Sequence, residues 1–176
     1  MKIFINPGHG GTDPGAVSKS GTKEADITAK IADILYNRLK LNGYSAEIYQ
    51  QKKYLTEVSQ MENKSGATCF ISIHCNSFGN ETAHGTEVLY CPSSGKGKTL
   101  AVIMQEQLVK ITGLTNRGIK PRADLHVLKA TKAPAILIET AFISNQKEEN
   151  LLKNTPELFA SAIWEGIKIF NQKGLI

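Results

Sequence analysis

Six short runs of apolar and β-branched residues recur along the chain, bounded by Gly, Pro, Asn or polar clusters. They are KIFIN (2–6), SAEIY (45–49), CFISIH (69–74), GTEVLY (85–90), LHVLK (125–129) and AILIET (135–140). Several are nearly continuous apolar stretches, as expected of central strands covered on both faces. Between them the apolar period becomes helical. In EADITAKIADILYNRLKLNG, Ile27, Ile31, Leu35 and Leu39 fall every four residues, and Asn42-Gly43 ends the pattern. Leu100, Ile103, Met104, Leu108 and Ile111 form a second stripe closed by Gly113. Thr155-Pro156 opens a third, carrying Phe159, Ala162, Ile163, Gly166, Ile167 and Phe170. A shorter, more polar helix is expected over about 55–66. Strands alternating with helices predict an α/β three-layer sandwich: a mostly parallel sheet of about six strands flanked by helices. GTEVLY follows CFISIH after ten residues, too few for a helical crossover, so that neighbour is expected to be antiparallel and the sheet mixed.

At 176 residues the chain is expected to form one domain, 1–176, with a core that needs no staples. Cys69, Cys75 and Cys91 are an odd set without a C-x-x-C pair, and read as buried free thiols. The net charge of +5 is spread as single residues and reads as an ordinary solvated surface, the alternative being weak attraction to a polyanion such as nucleic acid or an anionic cell wall. No basic-aromatic alternation points to nucleic acid, and no apolar run approaches the roughly 18 residues of a membrane span. MKIFIN is too short for a signal-peptide core and reads as the first strand.

The loop INPGHGGTDPGA (5–16) carries four glycines in eight residues directly after the first strand. A phosphate loop would need a Lys-Ser/Thr pair at its end, and Ala16-Val17 stand there instead. The dinucleotide fingerprint fails as well, because Asp13 occupies the third glycine position and the helix begins only near Thr22. What the loop does carry is His9. His74 ends the third strand, Glu139 ends the last, and Glu24 stands in the first helical turn after the loop. In an open α/β sheet, sites form beyond the carboxyl ends of parallel strands. Two imidazoles and a carboxylate make a sound zinc set with a fourth position open for water. Cys75 points to the strand face opposite His74. His84 and His126 stay open as candidates on spacing alone.

Six motifs now stand in order: INPGHGGTDPGA, the early Glu24, FISIHCNS, GTEVLY, NRGIK with LHVLK after it, and PAILIETAFISN. From Lys2 to about Phe170 the chain resembles the catalytic domain of the zinc-dependent N-acetylmuramoyl-L-alanine amidases, the family 3 cell-wall amidases. That resemblance implies one Zn2+ ion held by His9, Glu24 and His74, with Glu139 as the catalytic carboxylate. It implies peptidoglycan as substrate, cut at the amide between the lactyl group of N-acetylmuramic acid and L-alanine. Asn76 and Arg117 sit in its motifs as candidate substrate contacts. Two departures concern the groove: Ala141 replaces a common glycine, and Met61-Glu62 stand where the family often places arginine. Ser77 to Gly85 leaves no room for the autoinhibitory helix some members carry, so an open site is expected. The expected protein is a monomeric enzyme of the bacterial cell wall, with no nucleic-acid or membrane partner. It would be delivered by secretion of a longer parent chain, with a tethered wall-binding domain, or by phage-mediated release. Another zinc hydrolase of carboxypeptidase type, a silent wall-binding module and a nucleotide-binding protein are the competing readings.

Overall fold

The structure, a computed structural model, describes residues 1–174. In chain order its elements are β1 (Lys2–Pro7), α1 (Glu24–Leu41), β2 (Ser45–Ile48), α2 (Leu55–Ser65), β3 (Cys69–Asn76), β4 (Thr86–Tyr90), α3 (Gly95–Thr112), β5 (Asn116–Pro121), α4 (His126–Lys129), β6 (Ala135–Phe142), α5 (Gln146–Asn154) and α6 (Pro156–Gln172). One six-stranded sheet runs in the order β2-β1-β3-β6-β4-β5. All neighbouring pairs are parallel except β4 against β6, where Glu87 faces Glu139 and Tyr90 faces Ile136. The short β3–β4 connection forces that single reversal.

The two faces of the sheet are covered unequally, and this places the site. On one face α1, α3 and α6 lay down the stripes read from the sequence. Ile31, Leu35, Leu100, Met104, Phe159, Ile163 and Phe170 pack there against Ile3, Ile5, Ile71, Ile73 and Ile138. Gly166 lets α6 approach α3, since a Cβ there would stand 2.8 Å from Met104 Sδ. The other face carries the smaller cluster of Phe4, Phe70, Leu89 and Leu137, covered by Val58 of α2 and by Val127 and Leu128 of α4. Phe4 and Phe70 stack there with ring centroids 6.0 Å apart. These two short helices reach only part of the sheet. The carboxyl ends of β1, β3 and β6 emerge beyond them.

The three-layer mixed sheet, the reversed direction of β4 and the three buried thiols agree with the expectations above, but β4 is not the neighbour of β3: β6 lies between them, and β4 pairs antiparallel with β6. LHVLK does not form a strand. It is the short helix α4, and its apolar residues are buried because the helix lies on the sheet. The strand role falls to NRGIK and Pro121, an exposed edge strand without apolar alternation, which proline tolerates. Helix α1 begins at Glu24, and Lys23 rather than Thr22 is its N-cap residue. Helix α5, too polar for a periodicity reading, is started by Asn145, whose side chain accepts from the amides of Lys147 and Glu148. Among the described residues no helix is long and apolar enough to cross a membrane.

Ile138 is wholly buried in β6, at the centre of the larger cluster. Ile138→Ala should therefore cost about 2–5 kcal/mol, read as a lower urea midpoint with an unchanged m-value. A loss below about 1 kcal/mol would contradict the packing described.

Candidate metal centre

The glycine loop leaves β1 and turns back sharply through a miniature antiparallel bridge, Gly10 to Asp13. His9 sits at φ +61, the only non-glycine residue with positive φ among the described residues. Such a conformation costs free energy and persists only when its surroundings hold it. Here His9 Nδ1 is paired with Asp13 Oδ2 at 2.9 Å, and Asp13 in turn accepts from the Gly15 amide and from Gln51. Holding Nδ1 this way aims Nε2 at Glu24 Oε2, 3.2 Å away.

Glu24 is the first residue of α1 and only 3% exposed. Its carboxylate accepts from the Ala16 amide at 3.0 Å and the Cys75 amide at 2.9 Å, and faces His74 Nδ1 at 3.0 Å. Burial alone would raise its pKa, but hydrogen bonds from His74 and then His9 hold it well below the usual carboxylate range. The hydrogen bond to Glu24 correspondingly lifts His9 to about 9 against the opposing effect of burial, with Asp13 adding to the rise.

One potential ligand atom from each of His9, Glu24 and His74 lies within 4.8 Å of the others, and among the described residues no other set of three converges in this way. Two imidazoles and one carboxylate suit zinc and leave a coordination position open. Gly8 makes the close approach possible, because a Cβ there would stand within 2.6 Å of His74 Nδ1.

Glu139 pairs with His74 across β3 and β6, which brings its side chain to the same face. Its Oε2 is buried without a partner. Burial pushes its pKa up to about 7; His74 opposes the rise, and the charges of Glu24 and Glu87 add to it. It is thus the one carboxylate of the cluster free to carry a proton near neutrality. Asn76 and Arg117 both turn to Glu87, at 3.0 Å each, on the flank beyond Glu139. Arg117 also lies over the Phe142 ring, 4.9 Å from its centroid. His84 pairs with the Thr82 carbonyl and His126 with Ser59 Oγ, and neither joins the trio. Cys75 is turned away, with its thiol on Thr140.

Several residues that shape the site went unread in the sequence. Asp13 was visible only as a failed glycine, although a carboxylate four residues after a loop histidine is itself a signal. Glu87 sits on the strand opposite Glu139. Glu148 accepts from the Gly85 and Phe142 amides at 2.7 Å each, and Glu149 from Ser18, Ser20 and Thr22. These two neighbours of α5 tie down the loops before β4 and before α1. Glu62, at the position noted for a missing arginine, is buried and accepts from the amides of Lys132 and Ala133. No local pattern announces such long-range acceptors.

The sequence model of a family described as N-acetylmuramoyl-L-alanine amidase matches residues 3–169. A Bacillus licheniformis protein named N-acetylmuramoyl-L-alanine amidase CwlM is 37% identical over 88% of this chain and 62% of its own length. The Bacillus subtilis amidase LytC is 32% identical over 93% of this chain and 34% of its own. The chain thus spans less than two thirds of either relative. Among solved structures, the Nostoc punctiforme amidase AmiC2 aligns with a TM-score of 0.90 at 28% identity, over 98% of this chain and 97% of that one. An amidase from Clostridium difficile 630 aligns with a TM-score of 0.90 at 30% identity, over 97% and 96%.

Two expectations follow. If the trio holds zinc, Gly8→Ala should weaken its binding by at least about tenfold in a calorimetric titration, because His74 must move, while the thermal midpoint stays within a few degrees. Unaltered zinc affinity would refute the steric role of Gly8. The second concerns pH. A carboxyl raised from 4.5 to about 7 by folding keeps its proton longer in the folded chain, so its contribution is fully present below pH 4.5 and is lost as pH rises toward 7. In chelator-treated protein, Glu139→Gln should gain on the order of 1–3 kcal/mol over wild type between pH 4.5 and 8 in urea titrations. A constant difference across that range would count against the raised value.

Proposed function

The chain belongs to the N-acetylmuramoyl-L-alanine amidase family, and from that premise we propose that it is a zinc-dependent hydrolase of peptidoglycan. It cuts the amide between the lactyl group of N-acetylmuramic acid and the L-alanine of the stem peptide. The observation that carries this reading is the convergence of His9 after β1, Glu24 at the start of α1 and His74 near the end of β3, with the unpartnered carboxyl of Glu139 beside them.

His9, Glu24 and His74 would hold one zinc ion. When bound, the zinc supplies Lewis acidity, which acidifies water and polarises the scissile carbonyl. Asp13 fixes the ring of His9, and Glu24 is itself held by two backbone amides, so the donor set is organised before the substrate arrives. Glu139 takes the proton as water attacks the lactyl carbonyl. It returns that proton to the alanine nitrogen as the C–N bond breaks. Its burial favours the protonated form that it must hold between the two transfers. Asn76 and Arg117, held by Glu87, are assigned to substrate contact at the rim.

The loop from Ser77 to Gly85 contains no helix, which supports a site open to a bulky glycopeptide. The chain is taken to act as a single catalytic domain, 1–176, and as a monomer. It works at the bacterial cell wall.

The test is digestion of purified peptidoglycan by the zinc-loaded protein, with products read by mass spectrometry. Free stem peptides beginning with L-alanine are expected. Glu139→Gln should lower the rate by roughly 10²–10⁴-fold with zinc content unchanged. His74→Ala should lose both zinc and activity. Cleavage at other bonds would point to a different zinc peptidase, and bound zinc with wall binding but no cleavage would leave only a binding module.

A further inference from the structure

Between the thin helical layer and the sheet, a cavity of about 230 Å³ opens onto His9 and His74. Leu55 of α2, Leu125 and Val127 at α4 and Leu137 of β6 form its apolar wall. Its polar neighbours already have partners within the protein. Asn6 donates to the Tyr49 carbonyl at 3.0 Å and accepts from Ser72 at 2.9 Å. His126 pairs with Ser59 at 3.0 Å, and Gln51 donates to Asp13 at 3.0 Å. A guest here meets contact area and little unsatisfied hydrogen-bonding capacity. That favours an apolar branch over a sugar hydroxyl or a charge. The space is several times the roughly 30 Å³ share of a water molecule, enough for a methyl and its neighbouring atoms.

The side of the scissile bond it serves follows from the position of Glu139. Leu137 lines the cavity, but Glu139, two residues on along the same strand face, does not. Glu139 delivers its proton to the leaving nitrogen, so the amine side lies against Glu139. The cavity, entered past His9 and His74, is left to the acyl side. Resting on the amidase reading above, we infer that this cavity is an acyl-side specificity pocket for the methyl branch of the lactyl group, with Leu55 and Leu125 as its selectivity-determining walls.

Three soluble substrates test this with the zinc-loaded chain. They are N-acetylmuramoyl-L-alanyl-D-isoglutamine, its analogue with glycolyl in place of lactyl, and its analogue with glycine in place of L-alanine. Removing the lactyl methyl should lower kcat/KM about tenfold, and removing the alanine methyl should lower it less. Leu55 is 45% exposed, so Leu55→Trp can fill the cavity from its rim. That variant should bring the lactyl and glycolyl substrates to nearly equal kcat/KM, and Leu125→Ala should narrow the ratio by loosening the wall. A merely structural defect lowers both substrates together without changing the ratio. The proposal is overturned if both variants bind zinc and melt like wild type yet keep the full ratio, or if discrimination resides in the alanine methyl. Cleavage of none of the three, with purified peptidoglycan also left intact, overturns the amidase reading itself, whereas peptidoglycan cleavage with none of the three cleaved overturns a pocket that reads the lactyl branch by itself. Cleavage without discrimination overturns the pocket alone.

Discussion

A carboxylate buried at the first turn of a helix is costly unless every oxygen is satisfied, and Glu24 is satisfied from four directions. Two backbone amides come from segments far apart in the chain, the glycine loop and the end of β3. Two imidazoles come from the same segments. The N-terminal end of α1 adds its own favourable field. Glu24 therefore joins the loop after β1, the end of β3 and the start of α1 into one unit. The unusual backbone of His9 is tolerable because Asp13 and Glu24 grip its ring from both sides. The cost of that strained loop is offset by the large cluster beneath it.

The division of labour between the sheet faces follows from the same economy of cover. Three long helices bury the larger apolar cluster, and this face supplies most of the stability. Two short helices cover the opposite face only in part. Had α2 and α4 been as long as α1, they would have roofed the ends of β1, β3 and β6, where His9, Glu24 and His74 converge. Partial cover leaves an apolar cavity next to charged and titratable groups, the setting in which pKa values shift and small groups are discriminated.

Burial acts differently on the two carboxylates at the centre. Glu24, hydrogen-bonded by imidazoles and amides, stays ionised. Glu139 has an oxygen with no partner and the charges of Glu24 and Glu87 nearby, so it holds its proton to near neutrality. The same residue type thus receives opposite properties from its surroundings, and neither property can be read from the letters alone.

The sequence by itself determined the layers, the mixed sheet and the four residues proposed for chemistry. The layers are written in local apolar periodicity, and the mixed sheet in the length of the ten-residue connection before GTEVLY, both of which can be read along the chain without its three-dimensional course. His9 lies just past the first strand and Glu24 opens the first helix, His74 and Glu139 lie in the carboxyl-terminal halves of β3 and β6, and the ordered motifs of a known family single them out. Only the tertiary structure decided that LHVLK is a helix lying on the sheet and that the polar NRGIK segment is a strand. An apolar run looks the same whichever element buries it, and an edge strand needs no apolar signal. It also decided the roles of Asp13, Glu62, Glu87, Glu148 and Glu149. Each of the four glutamates is defined by a partner at least 6 residues away in sequence, most of them far more, and Asp13 by the strained fold of its own loop. A carboxylate's partner is chosen by where the chain returns in space, and no spacing along the sequence records that.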